Sequence, residues 1–183
     1  MPKRTLFEAI DAHPDAQALI LTSCTYDGLR YDLAPVIEAA HAKGIKVIVD
    51  EAWYGFARFH PVFRPTALEA GADYATQSTH KVLSAFSQAS MIHINDPGFK
   101  EHLFRENFNM HTSTSPQYGL IASLDAARKQ AVMEATSCCR ARSSSRPSCA
   151  RRSTRPACFA AWSSMTCCRR KRRTTASGST PPR

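Results

Sequence analysis

An α/β fold is predicted for the first 134 residues, and three observations predict it. Compact apolar runs suited to buried strands alternate with amphipathic helical stretches, and one of those helices joins two runs as a crossover. Each run also ends in a polar cluster, as strands of an open α/β sheet do where their carboxyl ends meet ligand.

The elements follow in chain order. Leu6, Phe7 and Ile10 mark one face of a short helix that stops before Pro14. The run Ala18-Leu-Ile-Leu-Thr22 is the first strand. Asp32 is the expected N-cap of a helix over residues 33–43, with Pro35 tolerated in its first turn and Gly44 at the C′ position. Ile45-Lys-Val-Ile-Val49 is the second strand, and strand, helix and strand together make the βαβ unit of a parallel sheet. Two further strands are expected at Tyr74–Gln77 and at residues 89–94, and helices near residues 99–108 and 116–134. No internal repeat interrupts this alternation.

Composition narrows the function classes. The chain has 183 residues, enough for one ordinary domain, with 24 Lys+Arg against 15 Asp+Glu and seven Cys. No apolar run approaches the ~20 residues that span a bilayer, and Met1-Pro-Lys-Arg-Thr-Leu6 lacks the apolar core of a secretory signal, so a cytoplasmic chain without membrane attachment is expected.

The charge is unevenly spread. Residues 1–134 carry 12 basic and 15 acidic side chains, whereas residues 135–183 carry 12 basic and none acidic. That tail holds six of the seven Cys, ten Ser and six Thr, with no Leu, Ile or Val, so it cannot build a core and is expected to be disordered. Its charge alone would suit loose contact with nucleic acid phosphates, without sequence specificity. Its cysteines fall as Cys138-Cys139, Cys149, Cys158 and Cys167-Cys168, with no C-x-x-C knuckle and no His, so no metal site is expected. Nothing marks the chain for export, which argues against a disulfide framework.

A change of reading frame near Glu134 accounts for the tail best. Residues 135–142 can be encoded by GCT ACA AGC TGC TGT CGC GCG CGC, and one prefixed G regroups these bases to read Gly-Tyr-Lys-Leu-Leu-Ser-Arg-Ala. The shifted frame extends the amphipathic helix that precedes it. Sequencing the gene through codons 130–145 decides the matter, because an unbroken frame with unrelated codons excludes it.

Chemistry has a predicted address at three strand ends. Thr22-Ser-Cys-Thr-Tyr-Asp-Gly28 follows the first strand, Asp50-Glu-Ala-Trp-Tyr-Gly55 the second and Ser78-Thr-His-Lys81 the third. Asp50 alone could merely cap the turn that follows it, and a lone Lys signifies little. Together they fit one cofactor. Pyridoxal phosphate requires an amine for its Schiff base, hydroxyl donors for its phosphate and an acid that keeps its pyridine nitrogen protonated. A free lysine titrates near ~10.4, so the amine must sit in an apolar or electropositive setting to act near neutrality, and His80 beside Lys81 contributes to one.

The strings Thr22-Ser-Cys-Thr-Tyr-Asp-Gly-Leu29, Asp50-Glu-Ala-Trp-Tyr-Gly-Phe-Ala-Arg-Phe59, Ser78-Thr-His-Lys-Val-Leu-Ser-Ala-Phe-Ser-Gln-Ala-Ser-Met-Ile-His93 and His111-Thr-Ser-Thr-Ser-Pro116 closely resemble the bacterial ornithine/lysine/arginine decarboxylases. The resemblance covers about residues 15–134. It implies an aspartate-aminotransferase-like (fold type I) mostly parallel sheet with flanking helices. It further implies that Lys81 forms the Schiff base, that Asp50 partners the pyridinium, and that Ser78 and His80 contact the phosphate. By the same resemblance His80 helps return a proton, Trp53 lies beside the cofactor's ring hydroxyl, and the segment like Thr112-Ser-Thr-Ser115 reaches the site of a partner subunit in a homodimer or larger assembly. His93 and His111 are read as structural.

The implied reaction is decarboxylation of lysine, ornithine or arginine to a polyamine or its precursor. Another fold type I activity, an aminotransferase or an aldolase, shares the Asp and Lys but not the Trp-Tyr-Gly and Ser-Gln-Ala-Ser strings, and a nucleic-acid-binding protein carried by the basic tail is the alternative from a different class. In the family's fold, the phosphate-cradling loop and the aromatic stacked on the ring precede residue 15, and a further domain follows. The chain as written is therefore expected to be a fragment with little activity of its own.

Overall fold

The structure, a computed structural model, describes residues 3–144. Its elements are α1 (Lys3–Ala12), β1 (Ala18–Thr22), α2 (Ala34–His41), β2 (Lys46–Asp50), β3 (Tyr74–Gln77), α3 (Thr79–Val82), β4 (Met91–Ile94), α4 (Glu101–His111) and α5 (Tyr118–Ser144). Two single 3₁₀ turns, Ala57–Phe59 and Pro61–Phe63, lie between β2 and β3.

The strands form one mixed sheet in the order β1-β2-β3-β4. β1, β2 and β3 run parallel, with Thr22 opposite Asp50 and Asp50 opposite Thr76, so their carboxyl ends finish side by side. β4 returns antiparallel to β3, pairing Gln77 with Met91. Strand alternation divides the side chains between two faces. On one face Val47, Val49 and Ala75 are fully buried against Ile10 of α1 and Val36, Ile37 and Ala40 of α2. The other face carries the row Ile20, Ile48, Tyr74 and Ile94, and nothing among the described residues covers its rim: Ile20 is 71% exposed.

A second core closes around the loop that follows β2. Tyr54, Phe56 and Phe63 meet edge to face, with ring centroids 5.0–6.5 Å apart, and Val82, Ala131 and Ala135 pack against them. Arg30 pins the same loop by donating from one guanidinium nitrogen to the Tyr54 hydroxyl at 3.0 Å and the Phe63 carbonyl at 2.8 Å. At the next turn Thr66 and Glu69 cap reciprocally. The Thr66 N–H donates to Oε2 of Glu69 at 3.0 Å, and the Glu69 N–H donates back to the Thr66 hydroxyl at 3.4 Å.

Gly44 adopts φ +74° and closes α2, its N–H donating to the His41 carbonyl at 2.9 Å and that of Ile45 to the Ala40 carbonyl at 3.0 Å, the paired bonds of a Schellman turn. The N-terminus of α2 corrects the sequence reading. Leu33, not Asp32, stands at the N-cap position, and it makes no side-chain cap bond. The Leu33 carbonyl accepts the N–H groups of Val36 and Ile37, and its side chain is buried in the core, so packing and Pro35 fix the helix start.

β4 begins at Met91 instead of residue 89, because the Ala89 N–H and carbonyl are taken by the preceding turn. α5 runs on through Ser144, past the compositional boundary at residue 134. Extending a nucleated helix takes little, and Ala135, Arg140, Ala141 and Arg142 all favour it. The expectations for the rest of the tail lie outside the described residues. Among the described residues, no helix is long and apolar enough to cross a membrane and no cluster could hold a metal ion.

Candidate active site

The three polar clusters meet at the carboxyl edge of the sheet. Tyr26, from the loop after β1, sets its ring edge against Trp53, from the loop after β2, at a centroid distance of 5.0 Å and an interplanar angle of 90°. Lys81, in α3 after β3, holds its ammonium 5.2 Å from the Trp53 ring centre, a cation–π contact. One aromatic thus joins all three strand ends. Lys81 is exposed and makes no ion pair among the described residues.

Asp50 ends β2 on the same edge. Its Oδ1 accepts the Ala52 N–H at 2.8 Å, which is the turn-capping role any strand-end aspartate could fill, and among the described residues Oδ2 takes no hydrogen bond. Its backbone is held from both sides. The Asp50 carbonyl accepts the Ser23 N–H at 2.9 Å, and the next N–H, of Glu51, donates to the Thr76 carbonyl at 2.8 Å.

Ser78 and His80 complete the edge. Ser78 stands at the N-cap position of α3 without spending its hydroxyl on a cap, and its carbonyl accepts the Lys81 N–H at 3.0 Å. The His80 ring places Nδ1 2.9 Å from the Ala89 carbonyl, which also accepts the His80 backbone N–H at 3.0 Å. A carbonyl only accepts, so Nδ1 carries the proton and Nε2 is left with the lone pair of the neutral ring. An uncommitted amine, a carboxylate oxygen, a hydroxyl and an imidazole nitrogen on one edge match the donor set expected for pyridoxal phosphate.

The remaining motif residues lie elsewhere. Residues 112–115 form the exposed turn between α4 and α5, where the Thr112 hydroxyl donates to the Phe108 carbonyl at 3.0 Å, and His111 is exposed at the end of α4. His93 is half-buried in β4 with Nε2 2.9 Å from Oε1 of Gln77, and burial pushes its pKa down, so it is neutral. Cys24 is a buried free thiol whose pKa burial pushes up, which makes it a poor nucleophile.

Sequence reasoning missed two features. Glu51 is 1% exposed, and its carboxylate accepts the Ala67 N–H at 2.7 Å and Nε2 of Gln77 at 2.8 Å, while burial pushes its pKa up. The signal was available, because strand alternation puts the residue after Asp50 on the opposite, buried face. Thr79 was also passed over; its hydroxyl is buried and has no hydrogen-bond partner among the described residues. It borders an open groove of about 770 Å³ between the sheet and α5, which Gln77, His93 and Leu124 also line and which neither Lys81 nor Asp50 lines.

Comparison with known proteins bears on this edge. The family model described as Orn/Lys/Arg decarboxylase, major domain, matches residues 1–153, a longer stretch than the one over which the motifs were read. The lysine decarboxylase LdcA of Pseudomonas aeruginosa is 45% identical over 132 residues, which is 66% of this chain and 17% of that protein. An arginine decarboxylase of Halalkalibacterium halodurans is 38% identical over 122 residues, 67% of this chain and 25% of that one. The chain thus spans a quarter or less of the length of these relatives. Among solved structures, an enzyme titled SPT, with its PLP internal aldimine, matches at a TM-score of 0.55 and 17% identity over 77% of this chain and 39% of that one. That likeness carries the fold alone, the aspartate-aminotransferase-like arrangement of fold type I.

Proposed function

We propose, from the premise that this chain belongs to the Orn/Lys/Arg decarboxylase family, that it serves the pyridoxal-phosphate-dependent decarboxylation of lysine, ornithine or arginine to a polyamine or its precursor. The observation that supports this reading most is the meeting of three strand-end loops at Trp53, with Lys81 over its ring and Asp50 on the same edge.

When bound, pyridoxal phosphate supplies an electron sink for the pair left on the α-carbon as CO2 departs. Every other part falls to side chains. Lys81 is the amine that would hold the cofactor and exchange it with the substrate amine, and among the described residues it makes no ion pair that would tie it elsewhere. Asp50 would hold a proton on the cofactor's ring nitrogen by a charge-assisted hydrogen bond, its Oδ1 being occupied by the Ala52 N–H. Ser78 donates its hydroxyl to the phosphate. His80, with its proton fixed on Nδ1 by Ala89, has Nε2 available to take a proton and return it to the α-carbon. Trp53 walls one side and offers its ring face to the amine. Residues 112–115 stand apart from this edge, which suits a role in the site of a partner subunit within a homodimer or larger homo-oligomer. The buried, unpaired Cys24 suits the reducing cytoplasm.

Titration of the purified chain with pyridoxal phosphate tests the reading. An absorbance band from lysine-bound cofactor is expected with the wild-type chain and not with Lys81→Ala. Identical spectra from the two proteins overturn it.

A further inference from the structure

Resting on the reading above, a buried carboxylate beside the Asp50/Lys81 pair calls for its own explanation, because the reaction has no step for it. Glu51 directly follows Asp50 but points into the protein. Its Oε1 accepts the Ala67 N–H at 2.7 Å, its Oε2 accepts Nε2 of Gln77 at 2.8 Å, and its own N–H donates to the Thr76 carbonyl at 2.8 Å. Gln77 is held in turn. Its Oε1 lies 2.9 Å from Nε2 of His93, which must donate, and a Cβ added at Gly55 would touch the same oxygen at 3.4 Å.

Burying a carboxylate costs free energy that an apolar side chain of the same size would not incur. What an apolar side chain cannot do is tie two strand ends together. Gln77 is the last residue of β3 and is followed by Ser78, Thr79, His80 and Lys81, so the Glu51–Gln77 contact anchors the root of the lysine turn to the residue next to Asp50. The Thr76 bond fixes the backbone at the same level. We infer that Glu51 is a positioning residue: through Gln77 it sets where Lys81 stands relative to Trp53 and Asp50. Its hydrogen bonds to Gln77 and Thr76 act across the gap between β2 and β3.

The contact of Lys81 with Trp53 gives a readout that needs no cofactor. In the nitrogen-labelled full chain, the Trp53 indole N–H resonance, identified by its loss in Trp53→Phe, shifts on Lys81→Ala because the ammonium sits over the ring. The same Lys81→Ala step is then taken in variants of Glu51, as a double-mutant cycle. In Glu51→Gln the shift is retained, since the new amide still accepts the Ala67 N–H, and Gln77 can turn its own amide over to meet it once His93 moves its ring proton to Nδ1 and accepts at Nε2. In Glu51→Ala the shift is lost. Should Glu51→Ala fail to fold, Gln77→Leu cuts the same link from the other end and is read in the same way.

A Lys81-dependent shift of undiminished size in Glu51→Ala or in Gln77→Leu overturns the inference. So does the absence of any shift on Lys81→Ala in the otherwise unchanged chain, because the contact that Glu51 is inferred to hold would then not exist. Failure of the decarboxylase reading shows separately, as cofactor spectra that Lys81→Ala leaves unaltered.

Discussion

The two ends of the sheet treat charge in opposite ways. At the amino end of β2 and β3, every charge is spent on another. The Lys46 ammonium bridges Asp73 at 3.0 Å and Asp96 at 2.8 Å, His41 reaches Asp73 at 2.8 Å, and the Tyr74 hydroxyl donates to Asp96 at 2.7 Å. The Val47 N–H donates to Asp73 as well, so that carboxylate is part of the backbone's own bonding. At the carboxyl end, Asp50 takes a single turn bond and Lys81 rests on an aromatic ring without a counter-ion among the described residues. The amino end is bonded for stability, and the carboxyl end keeps its charged groups available at some cost to it.

Substitutions at matched positions should separate the two roles. Lys81→Ala abolishes cofactor-dependent turnover in an assembled enzyme, and Asp50→Asn lowers it roughly 100-fold, the scale of one charge-assisted hydrogen bond. Both leave unfolding by urea within ~0.5 kcal/mol of the wild-type value, because the two side chains are exposed. A large loss of stability in either would break the contrast. Asp73→Ala should do the reverse, costing about 2–4 kcal/mol in urea unfolding, since it strips a buried N–H, the Lys46 ammonium and the His41 ring of one acceptor.

Acid titration sharpens the same contrast. The Lys46 ammonium, with the Tyr74 hydroxyl and the Gly98 N–H, holds the Asp96 carboxyl at about 2. A carboxylate depressed in the folded state stabilises it fully above the ordinary value of ~4 and loses that contribution as the pH falls toward 2. Glu51 has the opposite sign. Burial pushes its pKa up despite the bonds from Gln77 and Ala67, so the folded state favours the protonated acid and stability declines as the pH climbs above the ordinary glutamate value. Unfolding midpoints measured across pH should therefore show a flatter acid limb in Asp96→Asn and, in Glu51→Gln, a smaller decline above the ordinary glutamate value. The smallest effect is expected from His41→Ala, on the order of 0.5–1 kcal/mol, because His41 is half-exposed and only one of several partners of Asp73.

Much of this was legible in the chain, and the misses have physical causes. β1 falls at the residues its apolar run marks, and β3 at the expected Tyr74–Gln77, where Ala75 alone is fully buried. The meeting of the three polar clusters followed from parallel strands ending on one edge. Asp32 misled because an aspartate before a helical pattern is a good cap in general, whereas here the buried Leu33 and Pro35 fixed the start one residue later. The antiparallel return of β4 has no local signature, and the use of Glu51 depends on Ala67, sixteen residues away. Distance in sequence hid both.

The strand registers also rank the pairings by the loop each must close. β3 and β4 pair Gln77 with Met91 across fourteen residues, while β1 and β2 pair Ala18 with Lys46 across twenty-eight and β2 and β3 pair Ile48 with Tyr74 across twenty-six. Doubling a closed loop adds about 0.6 kcal/mol of entropy to the barrier, and parallel partners gain nothing until their crossover is in place. Closure entropy therefore favours the β3–β4 pairing over the parallel ones, and with it the turn bearing Lys81 over the alignment of Asp50 beside it.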